Sequence, residues 1–482
     1  MINKTKPNTA LSRQLGLLGL TATGICSMLG ASIYVVPVMI QRNVIGIDTW
    51  VLPAFFVAAM PALLAAFAYA NLSATMPMAG GSYIFVSRGI NPYLGFIASF
   101  SQWFGLSIVI GVICYIIVPF FRDIAYVLAW EEVALFLEIG WIRVSLALGM
   151  LWFFIWINRK GLKFYERTVI PLMFIMFGLG AMVIVVGFYF NHEDFARILS
   201  SKQGESLTYS TNSVFHLGIF FSASAVLFAS FIGFDSVAQA AGEAKKPEKL
   251  LPRAIILAFL IVSSFYFVFT AAVYHAIPWQ FIAQEAAKKD ISVAGLFSIL
   301  LSPSWGAVIL IGATVALLND LPAMLLAVSR LLFAWAEDSI FPKKLAYINP
   351  QTHIPDNALL VSGFVATMGI LGSHWAGDFF LGVDIMVTSM LVNFLLVCLA
   401  WYILPKRNVI IAEKMNVVFP KIWRSILAIV GIILLSVFLV IHVWKDINTT
   451  VSYWYFHSTY AWLIVMSMAS CIYFLGRNFP KV

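Results

Sequence analysis

Three carboxylates stand inside long apolar runs of this 482-residue chain, and that setting makes them the first candidates for chemistry. Asp235 follows Ser230-Phe231-Ile232-Gly233-Phe234, Asp320 follows Asn319, and Asp384 follows Gly382-Val383. A carboxylate in such surroundings is costly, so it is kept where it holds a proton, a cation or a charged solute, or where it ties helices together by hydrogen bonds. Two converging aspartates could also activate water, as in an intramembrane aspartyl protease, which is the alternative function from the enzyme class. Gly-x-Asp occurs at Gly233-Phe234-Asp235 and Gly382-Val383-Asp384, but so short a pattern recurs by chance, and the tyrosine-aspartate partner motif is absent. The expected reading is therefore a protein without catalytic residues.

A second kind of candidate is backbone. Thr23-Gly24-Ile25-Cys26-Ser27-Met28-Leu29-Gly30-Ala31-Ser32 is small and hydroxylated amid residues that are otherwise Leu, Ile, Val, Phe and Ala. Glycine loosens a helix, and each peptide group freed there needs a new partner. Ser230-Phe231-Ile232-Gly233-Phe234-Asp235-Ser236 repeats the feature some two hundred residues later. Paired interruptions point to a solute site where two broken helices cross, with free N–H groups offered to an anion and free carbonyls to a cation. The alternative for each segment alone is close helix packing, which also favours glycine and serine.

The elements that must position these residues follow from composition. Of the chain, 61% is hydrophobic and 11% charged, against roughly a quarter charged in soluble domains. Runs of about twenty apolar residues recur, the length needed to cross a hydrocarbon core. Twelve spans are expected, at approximately 15–40, 50–73, 93–120, 141–157, 168–190, 214–241, 253–276, 305–332, 357–373, 378–404, 423–443 and 453–475, so the fold is all-α and integral to membrane lipid. With both termini on one side, 22 of the 30 Lys and Arg fall on that side, which makes it cytoplasmic by the positive-inside rule. The segment 277–304 is expected to include a short helix over the outer face.

Several function classes drop out. Basic residues are scattered over many loops despite a net charge of +8, so no nucleic-acid surface is expected. Cys26, Cys114, Cys398 and Cys471 lack metal or disulfide spacing, and His216 has no neighbouring ligand, so no metal site is expected. There is no phosphate-binding loop and no segment long enough for a soluble ATPase. Energy would come from an ion gradient or from exchange, with no cofactor beyond a coupling proton or sodium ion.

At these residues the chain resembles the amino acid–polyamine–organocation permeases. Leu29-Gly30-Ala31-Ser32-Ile33-Tyr34 resembles the family's Gly-Ser/Thr-Gly-Ile-Phe unwound segment, and Met76-Pro77-Met78-Ala79-Gly80-Gly81-Ser82-Tyr83 its Pro-x-Ala-Gly-Gly-x-Tyr signature. Gly233-Phe234-Asp235, then Glu243-Ala244-Lys245-Lys246-Pro247 and Pro252-Arg253-Ala254-Ile255, follow the elements around its sixth span. Ser329-Arg330-Leu331-Leu332-Phe333-Ala334 is similar to the end of its eighth. The resemblance implies a leucine-transporter-like fold of two inverted five-helix repeats, here 15–190 and 214–404, with two further helices in 405–482. It also implies transport of an amino acid or related amine by alternating access, as symporter or exchanger; beside the enzyme, the alternative is a transporter-like sensor or channel.

On this reading the substrate site is Ser27, Met28, Leu29, Gly30, Ala31 and Ser32 with Phe231, Ile232, Gly233 and Phe234, and Phe231 is expected to close over the solute. Asp320, ten residues before Arg330, falls about 15 Å along the helix and is the expected ion-coupling group. Asp235 is expected to anchor or gate the inner half of span six, and Asp384 to reach the interface. Ser32 stands where the family has a second glycine, which makes that backbone less permissive toward a substrate carboxylate. By alignment, the lysine that replaces sodium in some proton-coupled relatives falls near Met176, so that mechanism is not expected. Walls from spans three, six, eight and ten would set selectivity. The expected location is a bacterial inner membrane; oligomeric state is open.

Overall fold

Apolar sequence without water leaves the helix as the local structure that satisfies every backbone N–H and C=O within one segment. The computed structural model describes residues 11–203, 214–288, 291–376, 380–418, 420–449 and 454–476 of the chain, the side chains at 31, 32, 203, 303, 376, 380, 416–418 and 455 excepted. Twelve helical segments among them are long and apolar enough to cross a membrane: Leu17–Asn43, Asp48–Thr75, Pro92–Val127, Gly140–Arg159, Leu162–Tyr189, Leu217–Glu243, Pro247–Ala276, Ser304–Glu337, Asp356–Trp375, Leu381–Arg407, Lys421–Asn448 and Ser458–Leu475. They are called spans one to twelve.

The expected ends were short in places. Span three continues to Val127 and span eight to Glu337, because polar residues near a span end do not stop a helix that still has a neighbour to pack on. Span seven starts at Pro247, where the missing N–H costs nothing in the first helical turn. The segment 277–304 holds two short helices, Trp279–Lys288 and Val293–Leu300, and Ser292 caps the second by accepting a hydrogen bond from the Gly295 N–H at 3.1 Å.

Burial separates a centre from a periphery. The most apolar stretch of span one is 94% buried within the protein, while those of spans five, eleven and twelve are 28% buried. Span one is therefore wrapped by other helices, and the outer spans turn most of their side chains outward. Span three packs along spans eight, nine and ten. The indole of Trp335 on span eight stacks on Phe100 and Phe341 and donates from Nε1 to Ser99 Oγ at 2.9 Å, which fixes span eight to span three.

On the side of the termini, span one is latched to the exit of span six. Leu15 and Ala244 form an isolated bridge, with the Leu15 N–H donating to Glu243 O at 2.9 Å and the Lys245 N–H donating to Leu15 O at 3.0 Å. The Glu243 carboxylate receives the Arg330 guanidinium from span eight, Nε at 3.1 Å and Nη2 closer, while Arg330 Nη1 donates to Ser329 Oγ at 2.8 Å. Both charged groups are buried. Removing one member of such a pair strands the other charge. Glu243→Ala should cost about 3–5 kcal/mol of stability, and Glu243→Gln less, because its amide oxygen still accepts from Arg330; thermal unfolding in detergent of the purified variants checks the order.

Candidate functional site

Both breaks form where the sequence loses its helix formers. Span one runs as a helix over Leu17–Met28 and resumes over Ala31–Asn43, leaving Leu29 and Gly30 between them. Span six is helical over Leu217–Leu227, tightens into a 3-10 turn at Phe228–Phe231, is extended at Ile232 and passes through Gly233 at φ +132° before turning back into helix at Ser236–Gln239. That φ is one L side chains rarely adopt. A Cβ at Gly233 would also stand 2.1 Å from the carbonyl oxygen of Ser27, so glycine is what lets the two breaks touch.

The freed peptide groups are met from neighbouring spans. Tyr266 of span seven donates its hydroxyl to the Met28 carbonyl at 3.2 Å. Asp235 Oδ1 accepts from the Gly233 N–H at 3.2 Å, and its other oxygen accepts from Gln102 Nε2 of span three. Gln102 Oε1 in turn accepts from Ser82 Oγ at 2.5 Å, Asn393 Nδ2 at 2.7 Å and Gln239 Nε2 at 3.2 Å, and Asn393 Oδ1 accepts from the Tyr69 hydroxyl at 3.0 Å. Asp235 is thus the fully buried end of a network joining spans two, three, six and ten. Its carboxylate does not face the cavity described next.

That cavity, about 80 Å³, lies at the crossing of the breaks. Its walls come from span one (Ser27, Met28, Val35, Val36), span three (Val109, Val112, Ile113, Ile116), span six (Ala229, Ile232), span eight (Asp320, Met324) and span ten (Val383, Met386). Asp320 is the only charged residue among the described residues of this lining and is 3% exposed. Its carboxyl group lies directly on Gly30: a Cβ there would be 1.7 Å from Oδ2 and 2.0 Å from Oδ1. Gly30 caps the second half of span one, so the carboxylate sits at the positive end of that half-helix. Pro322 follows within span eight and has no N–H for the carbonyl one turn before it.

Toward the face away from the termini a second space of about 400 Å³ shares the lining residues Val35 and Ile116 with the cavity. This vestibule is polar, with Arg122, Asp123, Glu138 and Arg143 in its lining. The opposite side carries the Glu243–Arg330 latch.

Of the residues expected at the site, Ser27, Met28, Ile232 and Asp320 line the cavity and Gly30 touches Asp320. The side chains of Ala31 and Ser32 lie outside the described residues. Phe231, expected to close over the solute, packs instead among Phe55, Phe259 and Tyr266 and is not in the lining; Phe234 stacks on Phe394 at 5.0 Å. Leu29 and Gly233 are packing positions of the breaks, and Asp384 lies beside the lining residue Val383 without joining it. Sequence reasoning missed Gln102 and Asn393. Their signal was present, since an amide inside an apolar span needs a partner just as a carboxylate does.

The sequence matches the profile of the family described as amino acid permease over residues 15–469. It is 25% identical over 391 residues to cationic amino acid transporter 4 of Mus musculus, covering 76% of this chain and 57% of that one. To the vacuolar cationic amino acid transporter 2 of Arabidopsis thaliana it is 29% identical, covering 74% and 54%, and to the branched-chain amino acid permease BcaP of Bacillus subtilis 25%, covering 77% of each. The chain spans a little over half the length of the mouse and plant relatives.

Replacing either contact glycine tests the crossing. Gly233→Ala should cost at least the ~1–3 kcal/mol of a strained backbone conformation, read as a lower melting temperature. Asp235→Ala should leave Gln102 with a buried donor unmet, for about 1–3 kcal/mol, whereas Asp235→Asn keeps an acceptor for the Gly233 N–H and should be milder in the same assay.

Proposed function

The chain belongs to the amino acid permease family, and on that footing we propose that it is a secondary transporter moving an amino acid or related amine across a membrane by alternating access. The observation that carries this reading is the cavity at the crossing of two broken spans, flanked by a polar vestibule on one side and a charge-paired latch on the other. Broken helices provide peptide groups for a polar solute and allow the halves of a span to move separately. The relatives named above are transporters of cationic or branched-chain amino acids, which fits a solute bearing an ammonium group and apolar side-chain walls.

The organisation that goes with this reading is two inverted five-span repeats, 15–190 and 214–404, followed by two further spans. Cytoplasmic termini and a bacterial inner membrane complete it. In that orientation the vestibule opens outward, and the latch between Leu15, Glu243 and Arg330 must release for solute to leave inward. The protease alternative loses its support here, because Asp235 and Asp384 do not share the cavity with Asp320. Asp320 is the carboxylate on this cavity at which a coupling proton or sodium ion would be held.

Reconstituted protein in liposomes preloaded with mixed amino acids and amines tests the proposal. Labelled amino acids and amines should enter by exchange or under an imposed sodium or pH gradient, and Asp320→Asn should lower that uptake at least tenfold. Binding without uptake or exchange, in protein shown to be folded, would move the chain to the class of transporter-like sensors.

A further inference from the structure

Among the cavities, buried charges and exposed faces of this protein, the seat of Asp320 says most about what is carried. A solute carboxylate held at a broken span one would rest at the start of the half-helix Ala31–Asn43, where N–H groups and the helix dipole favour negative charge. That place is taken. The carboxyl group of Asp320 leaves no space for even one added atom on Gly30, and the described walls hold no Lys, Arg or His to pair with a second anion.

We infer that the cargo is a small aliphatic amine without a carboxylate, and that Asp320 pairs with its ammonium group. This rests on the transport reading above and narrows it. Two further observations agree. Ser27 is 2% exposed, lines the cavity with Asp320, and its hydroxyl has no hydrogen-bond partner among the described residues, which leaves it able to accept from an ammonium N–H. The rest of the wall is aliphatic and suits a hydrocarbon body. 3-Methylbutylamine is such an amine, and leucine is the same skeleton with a carboxylate. A single carboxylate that serves cargo and coupling cation in turn makes the two compete, which is the logic of exchange.

The test compares matched probes on the purified full-length protein in lipid nanodiscs: 3-methylbutylamine, leucinamide, which keeps the leucine shape without the anionic charge, and leucine. Wild type should bind 3-methylbutylamine at least tenfold more tightly than leucine, with leucinamide between them. Asp320→Asn should lose the amine by at least tenfold, and Asp320→Gly, which empties the seat on Gly30, should gain affinity for leucine relative to wild type. The wild-type comparison stands even if a variant does not fold. Tighter binding of leucine than of 3-methylbutylamine by wild type would overturn this inference and leave the permease proposal intact. No binding of any of the three, in protein that melts cooperatively, overturns both.

Discussion

A peptide group released from a helix in the absence of water must find a partner inside the protein, and the two breaks in spans one and six make that demand at the same place. The rest of the arrangement answers it. Tyr266 comes from span seven to the Met28 carbonyl, Asp235 folds back on the Gly233 N–H, and the carboxylate of Asp320 lies on Gly30 at the start of a half-helix. Tyr266 and Asp320 arrive from other spans, and Asp235 is itself held by Gln102 of span three, so the breaks are held only while the bundle around them is assembled.

This division explains why buried charge is distributed as it is. Asp235 is absorbed into a continuous chain of amides and hydroxyls from Gln102 to Tyr69, and such a network gives the carboxylate donors without opening it to solute. Arg330 and Glu243 neutralise one another across spans six and eight at the latched end. Asp320 alone of these groups borders the cavity, surrounded by Val, Ile and Met. The Asp235 network and the latch are therefore structural, and the described walls of the cavity present a single negative charge to whatever enters.

The aromatic residues show why position along a span is a weak guide to role. Phe231 sits in the break, as Ile232 does, yet a single residue apart the two face opposite ways: Phe231 into Phe55, Phe259 and Tyr266, and Ile232 into the cavity. The extended backbone at Ile232 reverses the direction of successive side chains, and helical spacing cannot anticipate that.

The amino-acid sequence by itself determined the all-helical class, the twelve spans and the places where two of them break, because these depend on local quantities: apolar length, glycine and hydroxyl content, and the cost of charge among apolar residues. Asp320 and Asp235 were visible for the same reason. What they do was not, because a carboxylate's role depends on which groups reach it from other spans. Only the tertiary structure decided that Asp235 is spent on Gln102 and Gly233 while Asp320 lies on Gly30 beside the cavity, since the contacts involved join residues up to 290 positions apart.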